Sequence, residues 1–136
     1  MALGRNVPYR RFLRLFFNKE TTDMTRQAVH EFVDSRLQKY PVVVFSKSYC
    51  PYCHKAKAAL DSFKPRFNHD AYEWVEIDGR EDMDEIQDYM KELTGGRSVP
   101  RVFIGGKFFG GGDDTAAAWK NGELEKKLEE LGVFAK

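Results

Sequence analysis

The sequence predicts an α/β domain in which a small mixed sheet is covered by helices on both faces. Three observations carry that expectation. Helix-period and strand-length apolar runs follow one another in the order α-β-α-β-α-β-β-α. Within that order Val42-Val43-Val44-Phe45 is continuously apolar, as a strand buried on both faces must be. Strands separated by helical segments and short loops imply right-handed crossovers and a parallel pair. The last two strands are instead joined by the two-residue turn Gly105-Gly106, which makes a hairpin and adds an antiparallel strand.

Taken in order, residues 1–23 read as a basic extension and residues 24–136 as the domain. Arg5, Arg10, Arg11, Arg14 and Lys19 precede the first acid, Glu20. On a helical wheel Arg10, Arg11 and Arg14 share one arc, while Phe12, Leu13, Leu15, Phe16 and Phe17 fill the other. This Arg-rich, amphipathic start resembles a mitochondrial transit segment, and a basic, partly disordered tail fits it equally well. A secretory signal fits less well, because the apolar run is short and interrupted by arginine.

Residues 25–40 place Ala28, Val29, Phe32, Val33, Leu37 and Tyr40 on one helical face, with Thr25 as N-cap and Met24 packing on Val29. Pro41 ends that helix and 42–45 form the first strand. A second helix turns Ala56, Ala59, Leu60 and Phe63 inward and is stopped by Pro65. Residues 72–78 alternate, with Val75 and Ile77 on one face, as a second strand. Between 81 and 93, Met83, Ile86, Met90 and Leu93 make a helical stripe closed by Gly95-Gly96. Strands at 100–104 and 107–109 follow, then helix from about 114 to 131, broken near Asn121-Gly122.

Composition narrows the function classes. Charged residues make up 32% of the chain and aromatics 14%, as in a globular domain with a well-stocked core. A net charge of +1 gives no reason to expect nucleic acid as a partner. No apolar run approaches the ~20 residues of a membrane span, so no membrane partner is expected. Both cysteines, Cys50 and Cys53, sit in one motif. A pair that works and does not staple points to a reducing intracellular compartment, cytoplasmic or mitochondrial.

The motif joins the first strand to the second helix. A strand that turns straight into a helix there puts Cys50 at the N-cap and Pro51 at the first helical position, where its missing N–H costs nothing. The unpaired N–H groups of the first turn, with Lys47 just upstream, favour thiolate over thiol at Cys50. Cys53 lies one turn further in, behind Cys50. The spacing therefore describes one attacking and one resolving sulfur. Competing readings are weaker. A disulfide across two residues closes a tiny loop and stabilises little. Zinc would lack a second Cys pair, and His30 and His69 stand at no ligand-like spacing. Cys50-x-x-Cys53-His54 is formally a c-type haem attachment pattern, but haem needs an export compartment, and Pro51 suits a helix start. His54 is expected to be an exposed helix residue.

Three motifs in order then identify a family. Lys47-Ser48-Tyr49-Cys50-Pro51-Tyr52-Cys53, Thr94-Gly95-Gly96-Arg97-Ser98-Val99-Pro100 and Gly110-Gly111-Gly112-Asp113-Asp114 together resemble a dithiol glutaredoxin of the thioredoxin fold, over about residues 24–136. The resemblance implies a four-stranded mixed sheet flanked by helices, and a monomer. It implies a glutathione-dependent thiol–disulfide oxidoreductase that acts on protein–glutathione mixed disulfides and protein disulfides through Cys50 and Cys53. Glutathione is the cosubstrate, and no metal is expected. Lys47 and Arg97 would take the glycyl carboxylate, with Gln87 donating an amide hydrogen bond to it. Val99, before a Pro100 that the family holds in cis, would offer its backbone as to an added strand. The γ-glutamyl end would meet the start of the last helix, with Asp113 and Asp114 facing its ammonium, and Tyr52 would line the groove. Ser98 replaces the family's usual Thr. Gly96 stands where many members carry a polar side chain, and Gly112 extends a run of three glycines that would loosen its loop. Two other classes compete: an iron–sulfur carrier dimer bridged through Cys50 and glutathione, disfavoured by Pro51, and a thioredoxin-type reductase, disfavoured by the charged site.

Overall fold

The structure, a computed structural model, describes the backbone from Val7 onward and side chains from Asp23 onward. Helix α1 (Val7–Lys39) leads into β1 (Val42–Ser46), α2 (Pro51–Asp61), a 3-10 turn (Lys64–Arg66) and β2 (Tyr72–Glu76). Helix α3 (Met83–Thr94), the hairpin β3 (Arg101–Ile104) and β4 (Lys107–Gly110), and helices α4 (Gly112–Lys120) and α5 (Glu123–Leu131) complete it. The four strands lie in the order β2-β1-β3-β4. Strand β1 pairs parallel with β2 and antiparallel with β3, which pairs antiparallel with β4. This is the expected mixed sheet of the thioredoxin fold.

Strand β1 organises two cores because its side chains alternate across the sheet. Val42 and Val44 join Ala56, Ala59 and Leu60 of α2, Ala118 of α4, and Leu124 and Leu128 of α5 on one face. Val43 and Phe45 join Val29 and Val33 of α1, Ile86 and Met90 of α3, and Ile77 on the other. The hairpin turn places both Gly105 (φ 65°) and Gly106 (φ 78°) in the left-handed region, which a two-residue turn of matching twist requires.

Several expectations need correction. Helix α1 passes through residue 24 without interruption, so Thr25 is not its N-cap. Met24 is 66% exposed, with no helix start for it to brace, and Ala28 is exposed too. Residues 1–6, and the side-chain arcs expected over 1–22, lie outside the described residues. The second helix ends at Asp61, ahead of Pro65, which sits inside the 3-10 turn. On α3 the buried stripe is centred on Ile86, Gln87 and Met90. At 100° per residue that leaves Leu93 on its shoulder, 42% exposed.

Candidate active site

Strand β1 delivers the chain to a turn at 47–50, and α2 begins immediately after. Cys50 is the N-cap, in extended conformation (φ −94°, ψ 118°), and Pro51 takes the first helical position. The Cys50 Sγ accepts the backbone N–H of Cys53 at 3.3 Å. That N–H is one of the first-turn donors without an intrahelical partner, so the Cys50 sulfur is the side-chain cap of α2. Cys53 has no solvent exposure. Burial, and next the hydrogen bond to Cys50, push its thiol up to about 11. At neutral pH Cys53 therefore stays a neutral thiol behind a half-buried, helix-capping Cys50.

Other side chains fix this turn. Asp78, just past β2, accepts the Ser48 N–H at 3.2 Å and the Ser48 hydroxyl at 2.5 Å. The Ser48 hydroxyl, then the Ser48 N–H, hold the Asp78 carboxyl below the ordinary carboxylate range. His54 is exposed, as expected, and its Nε2 lies 3.1 Å from the Ser48 carbonyl. Ser46, 1% exposed, donates its hydroxyl to the Lys47 carbonyl at 3.3 Å, and its presence opposes part of the burial effect on the Cys53 thiol. Sequence reasoning passed over Ser46 and Asp78. The signal for Ser46 was present: it continues the Val42, Val44 face of a buried strand as a hydroxyl.

The antiparallel run of β3 completes the site. Its start meets the end of β1, which brings the cis peptide Val99-Pro100 to the cysteines and sets the Val99 carbonyl oxygen 3.5 Å from Cys50 Sγ. Beside them lies a cleft of about 390 Å³ lined by Tyr52, residues 98–101 and residues 111–114. Of the expected ligand-binding residues, Tyr52, Val99, Pro100, Asp113 and Asp114 share that cleft. Lys47, Gln87 and Arg97 are not among its lining residues. Lys47 stands in the turn, where its carbonyl accepts the Cys50 N–H at 3.3 Å. Gln87 is 5% exposed, and its Nε2 donates to the Arg97 carbonyl at 2.8 Å, so one amide hydrogen is committed to holding that loop. Arg97 is paired with Asp88 at 3.1 Å and with Asp84 at 4.0 Å.

Each acid at the start of α4 has its own partner. Asp114 Oδ2 accepts the N–H of Gly111 at 3.0 Å and so caps the helix. Asp113 Oδ1 accepts from Lys55 Nζ at 3.0 Å. The missing side chains of Gly96 and Gly112 leave no empty space beside the site. The space beside Gly96 is filled by the Arg101 guanidinium, which also reaches Ser98 Oγ at 3.4 Å and lies over the Phe108 ring. Gly112 is buried against the Tyr52 carbonyl, which any Cβ would overlap. It is a close-packing requirement between α4 and α2, and no source of looseness.

A helix-capping sulfur in front of a buried neutral thiol is built to exchange disulfides. On this sheet it defines a thiol–disulfide oxidoreductase of the thioredoxin fold. The glutaredoxin family model matches residues 42–109. Glutaredoxin-1 of Oryctolagus cuniculus is 46% identical over 104 residues, covering 76% of this chain and 96% of that protein. Glutaredoxin-C8 of Oryza sativa subsp. japonica is 47% identical over 97 residues, covering 71% and 69%. The structure of oxidized glutaredoxin 2 from Chlamydomonas reinhardtii superposes with a TM-score of 0.71 at 50% identity, over 79% of this chain and 96% of that one. A buckwheat glutaredoxin–glutathione complex gives a TM-score of 0.71 at 35% identity, over 82% and 97%. The chain belongs to the glutaredoxin family, and it is an enzyme of thiol–disulfide exchange.

Proposed function

We propose that this glutaredoxin uses glutathione to reduce protein–glutathione mixed disulfides and protein disulfides. The observation that carries the reading is the inequality of the two sulfurs. Cys50 accepts a helix-end N–H beside an open cleft, whereas Cys53 is buried with its thiol pushed up to about 11. Cys50 thiolate attacks the glutathionyl sulfur of a mixed disulfide, that S–S bond breaks, and the protein thiolate leaves to take up a proton. A second glutathione thiolate then attacks the glutathionyl sulfur on Cys50, releasing glutathione disulfide and restoring Cys50 thiolate. With a protein disulfide, Cys50 first forms a mixed disulfide with the protein. Cys53 gives up its proton and attacks Cys50 Sγ, the protein thiol leaves, and a Cys50–Cys53 bond closes. Two glutathiones reopen it by the same exchange. The family's potentials, roughly −200 to −230 mV, lie near the glutathione poise of reducing compartments, so the exchange runs in either direction.

In this reading the tripeptide lies along Val99 and Pro100 beside Tyr52. Its glycyl carboxylate turns toward Lys47 and Arg97, whose loop Gln87 braces. Its γ-glutamyl end turns toward α4, where Asp113 meets the ammonium and Asp114 caps the helix whose N–H groups face the carboxylate. The cleft lined by five of these residues supports that placement, and the buckwheat relative's complex with glutathione supports the ligand. The protein works as a monomer in the cytoplasm or mitochondrion.

The test is turnover of the 2-mercaptoethanol–glutathione mixed disulfide with glutathione as sole reductant. Cys50→Ser should abolish it. Cys53→Ser should keep it and lose reduction of protein disulfides. Equal loss of glutathione turnover in both variants would overturn the division of roles.

A further inference from the structure

Lys55, ion-paired with Asp113 at the edge of the cleft, is the charge that the glutathione reading leaves unused. Lys55 lies one turn inside α2, and its ammonium reaches across to Asp113 on α4 at 3.0 Å, above the Tyr52 ring at 5.2 Å from the centroid. The pair thus spans the two helices at the edge of the cleft that Tyr52 and Asp113 line. Both side chains are exposed, Lys55 by 54% and Asp113 by 70%, so water screens their attraction and the pair opens at little cost.

We infer that Lys55 is a specificity-determining residue that takes the α-carboxylate of the γ-glutamyl group when the Lys55–Asp113 pair opens around it. This rests on the glutathione reading above and adds a residue to it. The γ-glutamyl end carries an ammonium and a carboxylate on one carbon. If Asp113 simply received the ammonium, Lys55 would lose its partner and stand as a second cation beside it. Inserting the whole zwitterion resolves that conflict. Its ammonium replaces Lys55 on Asp113, its carboxylate replaces Asp113 on Lys55, and every charge keeps an opposite neighbour. Lys55 borders the cleft through Asp113 and Tyr52, whereas the cation that lines it, Arg101, is directed elsewhere: its guanidinium fills the space beside Gly96 and lies over Phe108. Asp114 is engaged by the Gly111 N–H. The pair therefore selects a ligand end bearing both charges.

The test pairs protein and substrate changes, using 2-mercaptoethanol mixed disulfides of three thiols with glutathione as reductant. One is glutathione, the second its analogue with 4-aminobutyryl in place of γ-glutamyl, which lacks the α-carboxylate, and the third N-acetylglutathione, which lacks the ammonium. Lys55→Gln should raise KM for the glutathione mixed disulfide about fivefold, with the loss in KM and not in kcat. The same change should leave the 4-aminobutyryl substrate within about twofold of the unaltered protein, and Lys55→Arg should restore glutathione binding. Asp113→Asn should instead penalise glutathione and the 4-aminobutyryl substrate alike, sparing N-acetylglutathione. Equal penalties of Lys55→Gln on the glutathione and 4-aminobutyryl substrates would overturn the inference, because Lys55 would then act only on Asp113 or the fold. A lowered KM would overturn it too, making Lys55 a competitor for Asp113. Failure of the unaltered protein to turn over any of the three would overturn the glutathione reading itself, and this inference with it.

Discussion

Arg97 offers its guanidinium to solvent already engaged, 45% exposed and 3.1 Å from Asp88, with Asp84 one turn earlier at 4.0 Å. A carboxylate arriving at Arg97 must therefore compete with one that already holds Nη2. The pair is exposed, Asp88 by 70%, and such pairs are worth about 0–1 kcal/mol. Removing the competing charge should consequently tighten the ligand by a small factor. Asp88→Asn is expected to lower KM for the glutathione mixed disulfide about two- to threefold, with kcat unchanged. An unchanged KM would show that Arg97 does not receive the glycyl carboxylate. Gln87 illustrates what one sequence hides at this scale. It was legible as a helix residue near the site, but its committed bond to the Arg97 carbonyl depends on a loop that folds back over α3. Its place between Ile86 and Met90 on the buried stripe was the available sign.

Helices α2 and α4 meet where both begin, and Gly112 sets how closely. An added methyl would overlap the Tyr52 carbonyl, backbone that cannot turn aside. Gly112→Ala must push α4 away from α2, and overpacking of this kind costs about 1–3 kcal/mol. We expect a lower Tm and, because Tyr52 and Asp113 belong to the two displaced helices, a raised KM for the glutathione substrate. Gly96→Ala supplies the contrast. Its added methyl meets the far end of the Arg101 side chain, which can swing away, so its Tm should fall less. An equal fall in both would mean that the α2–α4 contact adapts freely. At the scale of elements most of the chain was legible, because apolar period and turn residues act locally. The hairpin at Gly105-Gly106, the break at Asn121-Gly122 and Cys50 at the helix cap all followed from neighbours in sequence. The antiparallel run of β3 beside β1 did not, because pairing between distant strands leaves no local mark.

Across the whole molecule, every core residue and every site residue described lies at or after Val29. Helix α1 nevertheless begins at Val7, so the domain boundary expected at residue 24 falls inside an uninterrupted helix. Helix continuity alone does not make a segment part of the folding unit, since packing of one face supplies most of a helix's stability. For α1 that face is Val29 and Val33, with Phe32 and Leu37 partly buried beside them against the sheet and α3. Tyr89 on α3 adds a hydrogen bond to Asp34 at 2.7 Å and stacks on His30 at 3.8 Å between ring centroids. All of these anchors survive if the chain is started at Met24, and Thr25 then stands where an N-cap would serve the shortened helix. Such a truncation is expected to keep its Tm within about 2 °C, a shift corresponding to well under 1 kcal/mol for a domain of this size. Its kcat and KM with the glutathione mixed disulfide should match those of the full chain. Thermal unfolding followed by circular dichroism, with turnover measured on the same samples, checks both. A fall of ten degrees with unchanged kinetics would make residues 1–23 part of the folded domain, and a change in KM alone would tie them to the cleft.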